Sequence, residues 1–349
     1  MKRLTSIILT LAIGALTSLH AQSVDGATYA LPKTGVKLTM LVEKSAYTPG
    51  QLAKYARKFL RDTEVDTEPT TSYRLLSGEM RLYAEPDTSK VHTAHIDQKH
   101  NIQGLALSAN TCLQAVNADA VKTTQPRPFQ PSYQPKPLDP NKYLSQDILS
   151  AGSEMKMAEL IAKEIYDIRE SRNELTRGQA EYMPKDGEQL KVMLASLEQQ
   201  EQALRQMFTG YTRVDTTETT LSYMPRKGVE QDVLFRFSKH YGLVEADDLS
   251  GEPYIIKVED LKSAPEPIVE PGKKPAKDET GIWINLPGRV HVSVLDNDGR
   301  VWQQIDFAAG QYGNVENLND PLFTKKVLTR LVLNPYNGGI ETIDSAPIK

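Results

Sequence analysis

The chain has 349 residues, a quarter of them charged, with 41 Lys and Arg against 45 Asp and Glu and a formal charge of −4 at pH 7. That mixed, mildly acidic balance contains no basic block and so excludes the electrostatic footprint of a nucleic-acid-binding protein. A single cysteine, Cys112, excludes an intrachain disulfide framework, and the length exceeds one typical domain.

At the amino terminus Lys2 and Arg3 precede the apolar run Ile7 to Leu16, and small-residue spacing ends in Leu19-His20-Ala21 before Gln22. This pattern predicts a cleavable secretory signal over residues 1–21. The run falls short of the roughly 20 residues of a membrane span, and no later segment is apolar enough to be one, so an exported protein without a transmembrane segment is expected. No cysteine stands at the processing site for lipid attachment, which argues against a lipoprotein. Cleavage removes Lys2 and Arg3 and takes the formal charge from −4 to −6.

Residues 22–125 read as an α+β domain. Val36, Leu38, Met40 and Val42 alternate with polar neighbours, which predicts a strand over 28–45 with one apolar face. Thr48-Pro49-Gly50 then opens a short helix whose Leu52, Tyr55, Ala56, Phe59 and Leu60 share one side, suited to packing on a sheet. Further strands are expected over 73–83 and 102–107. His92, His95 and His100 in VHTAHIDQKH are the nearest approach to a metal cluster. A strand would point His92 and His95 to opposite faces and their spacing fits no zinc pattern, so the expectation is a polar loop or strand edge without metal. Cys112 reads as a small buried residue, with no particular histidine to activate it.

Six prolines between Pro126 and Pro140 favour an extended, polyproline-like linker over 126–145. The segment 146–210 predicts a helical hairpin. Met157, Ile161, Ile165, Ile168 and Leu175 form one stripe opposite a charged face, and Gly178 and Pro184 end the first helix. Asp186 followed by Gln189 fits a capping box for the second, where Leu190, Met193, Leu194, Leu197, Leu204, Met207 and Phe208 make the apolar side before Gly210.

Residues 211–349 read as a β-rich domain, interrupted by a Pro- and Lys-rich insertion at 263–278. Short strands are expected over 211–214, 219–223, 233–237, 254–258 and 327–333. MPRKGV at 224–229 echoes LPKTGV at 31–36. RVHVSVLDNDGRVWQQIDF predicts a hairpin, with Asp298-Gly299 supplying positive φ angles at its turn. The overall expectation is an α+β fold in which β-rich amino- and carboxy-terminal units are bridged by a long antiparallel helical hairpin.

The segments YALPKTGVKLTMLVEK, TPGQLAKYARKFL, AELIAKEIYDIRESRNEL, WINLPGRVHVSV and FAAGQYGNVENL resemble a family of secreted proteins from Gram-negative anaerobes known as a domain of unknown function. The resemblance implies a periplasmic or envelope location and a multi-part α+β architecture, and it brings no catalytic residues. The chain carries no GxSxG elbow, no phosphate-binding P-loop and no CxxC pair. The predicted helices contain no histidine for a di-metal carboxylate site. No cofactor is expected, and the favoured function is non-enzymatic binding or scaffolding of an envelope protein partner. The alternative is a carbohydrate-active or other hydrolase whose cleft lies near Trp283 and Trp302, where the indoles stack on a glycan.

Overall fold

A computed structural model describes residues 26–94, 101–124, 126–264, 281–318 and 322–348. The predicted signal segment 1–21, His95, His100 and most of the predicted 263–278 insertion lie outside the described residues. In chain order the elements are β1 (Ala27–Thr48), α1 (Ala56–Phe59), β2 (Thr70–Ala94), β3 (Leu105–Leu107), β4 (Leu113–Val116), α2 (Gln146–Leu149), α3 (Glu154–Arg177) and α4 (Gly187–Thr209). They continue as β5 (Tyr211–Tyr223), β6 (Gln231–Ser238), β7 (Gly242–Val244), β8 (Glu252–Asp260), β9 (Ile282–Leu295), β10 (Val301–Leu318), β11 (Val327–Leu333) and β12 (Ile340–Pro347). The strands form three antiparallel sheets, ordered β2-β1-β5, β10-β9-β8-β6-β7 and β12-β11-β4-β3. The fold is therefore strand-rich α+β, as the alternating patterns predict.

Alternation along β1 turns Val36, Leu38 and Met40 to one face, where they meet Phe235, Ile256, Val290, Val292 and Val294 of the five-stranded sheet in a first core. The amino-terminal end of β1 contributes Tyr29 and Leu31 to a second core with Leu113, Ile282, Ile284, Leu331 and Leu333. β1 and β9 thus run through both cores. Strands from before and after the helices share sheets, since β1 pairs with β5 and β4 with β11. This corrects the expected bridge. The β-rich parts pack on each other directly, and the hairpin stands at one end of them.

Between the two cores lies a polar waist. Beyond Val36↔Tyr223 the β1–β5 register would set Thr34 opposite Pro225, which has no N–H to donate. The side-chain amide of Gln311 takes that place. Its Oε1 accepts the Thr34 N–H at 2.9 Å, and its Nε2 donates to Thr34 O at 2.8 Å and to Pro225 O at 3.2 Å. Asn285, fully buried, uses both Nδ2 hydrogens on Pro32 O (2.9 Å) and Asn337 O (2.8 Å). Such close approach needs small residues. In β10 the segment 310–313 bulges opposite Pro287, and a Cβ on Gly313 would lie 1.8 Å from Leu286 O. The echoing LPKTGV and MPRKGV segments meet here through Gln311, the first inside β1 and the second in the turn between β5 and β6.

The helices keep their predicted ends, with one change. Asp186 accepts the Gln189 N–H at 2.7 Å, but the Gln189 carbonyl reaches back to Lys185 N (3.3 Å) rather than to the cap's own N–H. Gly178 closes α3 in the left-handed region at φ 71°. Glu201 of α4 pairs with Arg169 (2.5 Å) and Arg172 (3.1 Å) of α3, which fixes how the two helices face each other. They share a third core, in which Ile161, Ile165, Leu204 and Phe208 surround Leu52 and Ala56. The short helix at the end of β1 therefore packs on α3 and α4, not on a sheet as expected. Leu52 N–H donates to Met207 O at 2.8 Å and ties the end of α4 to the turn after β1. The β9–β10 turn also differs from expectation. Asp296 O accepts the Gly299 N–H at 3.0 Å, and within this turn Gly299 alone has positive φ, so a type I turn with a following glycine replaces the two-residue turn.

Removal of the Asn285 amide leaves two buried carbonyls unpaired, each at roughly 1–3 kcal/mol. Asn285→Ala is therefore expected to cost about 2–5 kcal/mol in urea unfolding; a loss below about 1 kcal/mol would show that the waist does not depend on it. Tyr312, buried in the first core, has its phenol pushed up to about 12, mainly by burial and then by Tyr223 and Asp260. An unfolded tyrosine ionises near 10, so between these values the unfolded chain binds fewer protons and stability falls as pH rises. Burial pushes the Lys90 ammonium down, which acts in the opposite sense at pH values below the ordinary lysine value. Tyr312→Phe isolates the phenol: between pH 9 and 11 the wild-type urea midpoint is expected to fall further than the variant's.

Candidate functional site

The aromatic residues that suggested a glycan cleft are set apart. Trp283 stands near the start of β9, opposite Asn317, whereas Trp302 stands near the start of β10, beside the far end of β9. The twelve residues from Trp283 to Leu295 span roughly 40 Å at about 3.3 Å each, so the two indoles occupy opposite ends of the β9–β10 pair. Trp302 packs between sheets. It meets Tyr254 and Phe235 edge-on, with centroids 5.4 and 6.1 Å away, and a Cβ on Gly78 would lie 2.5 Å from its ring. Trp283 is stacked on His92 at 5.0 Å, with the planes 17° apart.

His92 is thereby placed among rings. Tyr29 lies on its other side at 6.1 Å, and the Tyr29 hydroxyl accepts the Trp283 N–H at 2.7 Å. Burial raises the Tyr29 phenol, with the backbone contact at Trp283 opposing it. Among the described residues no group of three His, Cys, Asp or Glu is arranged to hold a metal ion. Cys112 is buried, and burial pushes its thiol up. The His291–Asp306 pair, 2.5 Å apart, escaped the sequence reading because its partners are cross-strand neighbours fifteen residues apart on a partly exposed sheet face.

The proline-rich segment extends past the outer face of the β2-β1-β5 sheet toward α4. Pro126 and Pro128 share a hollow with Lys37, Thr39 and Arg81, and Pro131 and Gln134 share one with Val42, Lys44 and Tyr73. At its end Leu138 exchanges two hydrogen bonds of 3.3 Å with the Gln206 side chain of α4.

Exposed apolar side chains are scattered over the described surface, Tyr133 and Leu249 among them, and Tyr182, Met183, Val192 and Met193 share the free end of the hairpin. Tyr182 is 82% exposed, Val192 68%, Met183 44% and Met193 40%. The outer sides of the two helices differ in kind. On α3 the exposed residues include Glu159, Lys163, Asp167, Glu170 and Glu174, while on α4 Val192, Ala195, Ser196 and Gln199 are exposed, uncharged and on one side by helical spacing. The apolar positions of α4 are half-buried at Leu190, Leu194 and Leu197 and become fully buried only from Ala203 onward. No described helix is long and apolar enough to cross a membrane. The uncharged row on α4, bordered by the exposed Glu188, Lys191 and Glu198, lies beside the exposed apolar residues of the tip.

No curated protein and no solved structure matches the chain. Residues 25–341 match a family described as a domain of unknown function, DUF4831, and the chain belongs to that family.

Proposed function

We propose that this is a non-enzymatic binding or scaffolding protein, exported to the periplasm or cell envelope of a Gram-negative bacterium, that holds a helical segment of an envelope protein partner against the tip and outer side of α4. The export part of the reading rests on the amino-terminal pattern of Lys2, Arg3, Ile7 to Leu16 and Ala21, without a lipid-attachment cysteine. The binding part rests on one observation, the exposure of Tyr182, Met183, Val192 and Met193 at the free end of the hairpin. Apolar side chains presented together at such a projecting end add nothing to the third core. A partner helix would bury them, and the uncharged row Val192, Ala195, Ser196 and Gln199 continues that surface, with the Lys191–Glu188 ion pair at its edge. The two indoles, each engaged with other rings at opposite ends of the β9–β10 pair, lend less support to a glycan cleft.

A photo-crosslinking amino acid placed at Val192 in the producing cell tests the reading, with Val301, an apolar residue 54% exposed on β10, as the control position. A discrete adduct is expected at position 192 and absent at 301. It should disappear when Tyr182→Lys and Met183→Lys are combined, with the melting temperature unchanged. Equal labelling at both positions, or an adduct that survives the double variant, would refute it.

A further inference from the structure

We infer that the hollow at the end of β5, between the Met224–Val229 turn and Lys33 of β1, binds a small ligand through a phosphate monoester. Its volume of about 650 Å³ lies within the ordinary range for small-molecule pockets. Lys33, Arg226 and Lys227 line it against one carboxylate, Asp232. The excess of positive charge matches a dianion rather than a monocarboxylate. It is also local, in a chain whose net charge is −4.

The cations are mounted, not loose. Val229 N–H closes the turn on Arg226 O at 3.2 Å, with Gly228 at φ 84°, and Gln311 holds Pro225 O from the waist. Lys33 is 3.8 Å from Glu85, but the side chains of Arg226 and Lys227 form no hydrogen bond or ion pair with any described residue. Nearby, the Lys90 ammonium, held by Gly310 O at 3.1 Å, is pushed down by burial and, against the pull of Asp87, by the charge of Lys227.

In the hollow the Arg226 guanidinium forks onto two phosphoryl oxygens and Lys227 supplies a point charge. The observation is separate from the hairpin tip, so either reading stands without the other.

The test is calorimetric titration of the purified full chain with inorganic phosphate and glycerol 3-phosphate, paralleled by flotation with phosphatidylcholine vesicles containing phosphatidic acid. Saturable one-to-one binding is expected, weakened at least tenfold by combined Arg226→Ala and Lys227→Ala. Lys156→Ala, a cation removed from α3, should change nothing, and all variants should melt like the wild type. Binding to the soluble esters assigns a free phosphorylated metabolite, and binding to vesicles alone assigns a lipid headgroup. Absence of saturable binding to all three, or affinity unchanged in the double variant, would overturn the inference.

Discussion

β1 is 22 residues long and must be paired on both edges wherever it is buried, yet its ladder with β5 runs into Pro225, which cannot donate. Gln311 resolves this by presenting a side-chain amide in the position of a strand's own peptide group. Asn285 does the same for the carbonyls of Pro32 and Asn337. With these groups satisfied, β1 passes from one apolar core into the next. The two cores can then share strands, and the three sheets lock into one arrangement instead of packing as separate units.

The local parts of this arrangement were legible in the sequence. Val36, Leu38 and Met40 announce a strand, Ile161 and Ile165 a helix, and Asp186 a helix start, because each pattern is set by residues a few positions apart. The sharing of sheets was not legible, since β1–β5 and β4–β11 pairing depends on register between segments far apart in sequence. The reason for Gly288, Gly310 and Gly313 was not legible either, since they lie at a crossing of strands where backbone from distant segments approaches too closely for a Cβ. The indoles were legible as aromatic residues near a hairpin. Their separation was not, because β9 and β10 prove much longer than the alternating stretch that marks them.

The hairpin has its own energetic logic. Its inner half is fastened to the end of β1 and buries Leu204 and Phe208, whereas its outer half is held chiefly by contacts between α3 and α4, among them Leu175 and the Glu201 ion pairs nearer the middle. Charges on the outside of α3 keep that side in water. On α4 the exposed charges Glu188, Lys191, Glu198 and Arg205 leave an uncharged row at Val192, Ala195, Ser196 and Gln199. Loss of contacts at the tip therefore leaves the sheets untouched, which frees the tip for recognition, while the pocket beside Gln311 draws its rigidity from the waist.

The shared strands also set a timetable. β1 precedes the other described strands in the chain, but one of its edges awaits β5, beginning 163 residues after the Thr48 that pairs with Tyr211, and its apolar face awaits β9. The hairpin, by contrast, closes from segments adjacent in sequence and can form early, since loop-closure entropy is small for near neighbours and larger for distant ones. A chain that has been made only as far as α4 thus holds a finished helical pair and an unfinished strand whose inward side chains have nothing to meet. Folding of the two β cores is complete only when the carboxy-terminal strands arrive, so the order of contacts in space reverses the order of elements along the chain.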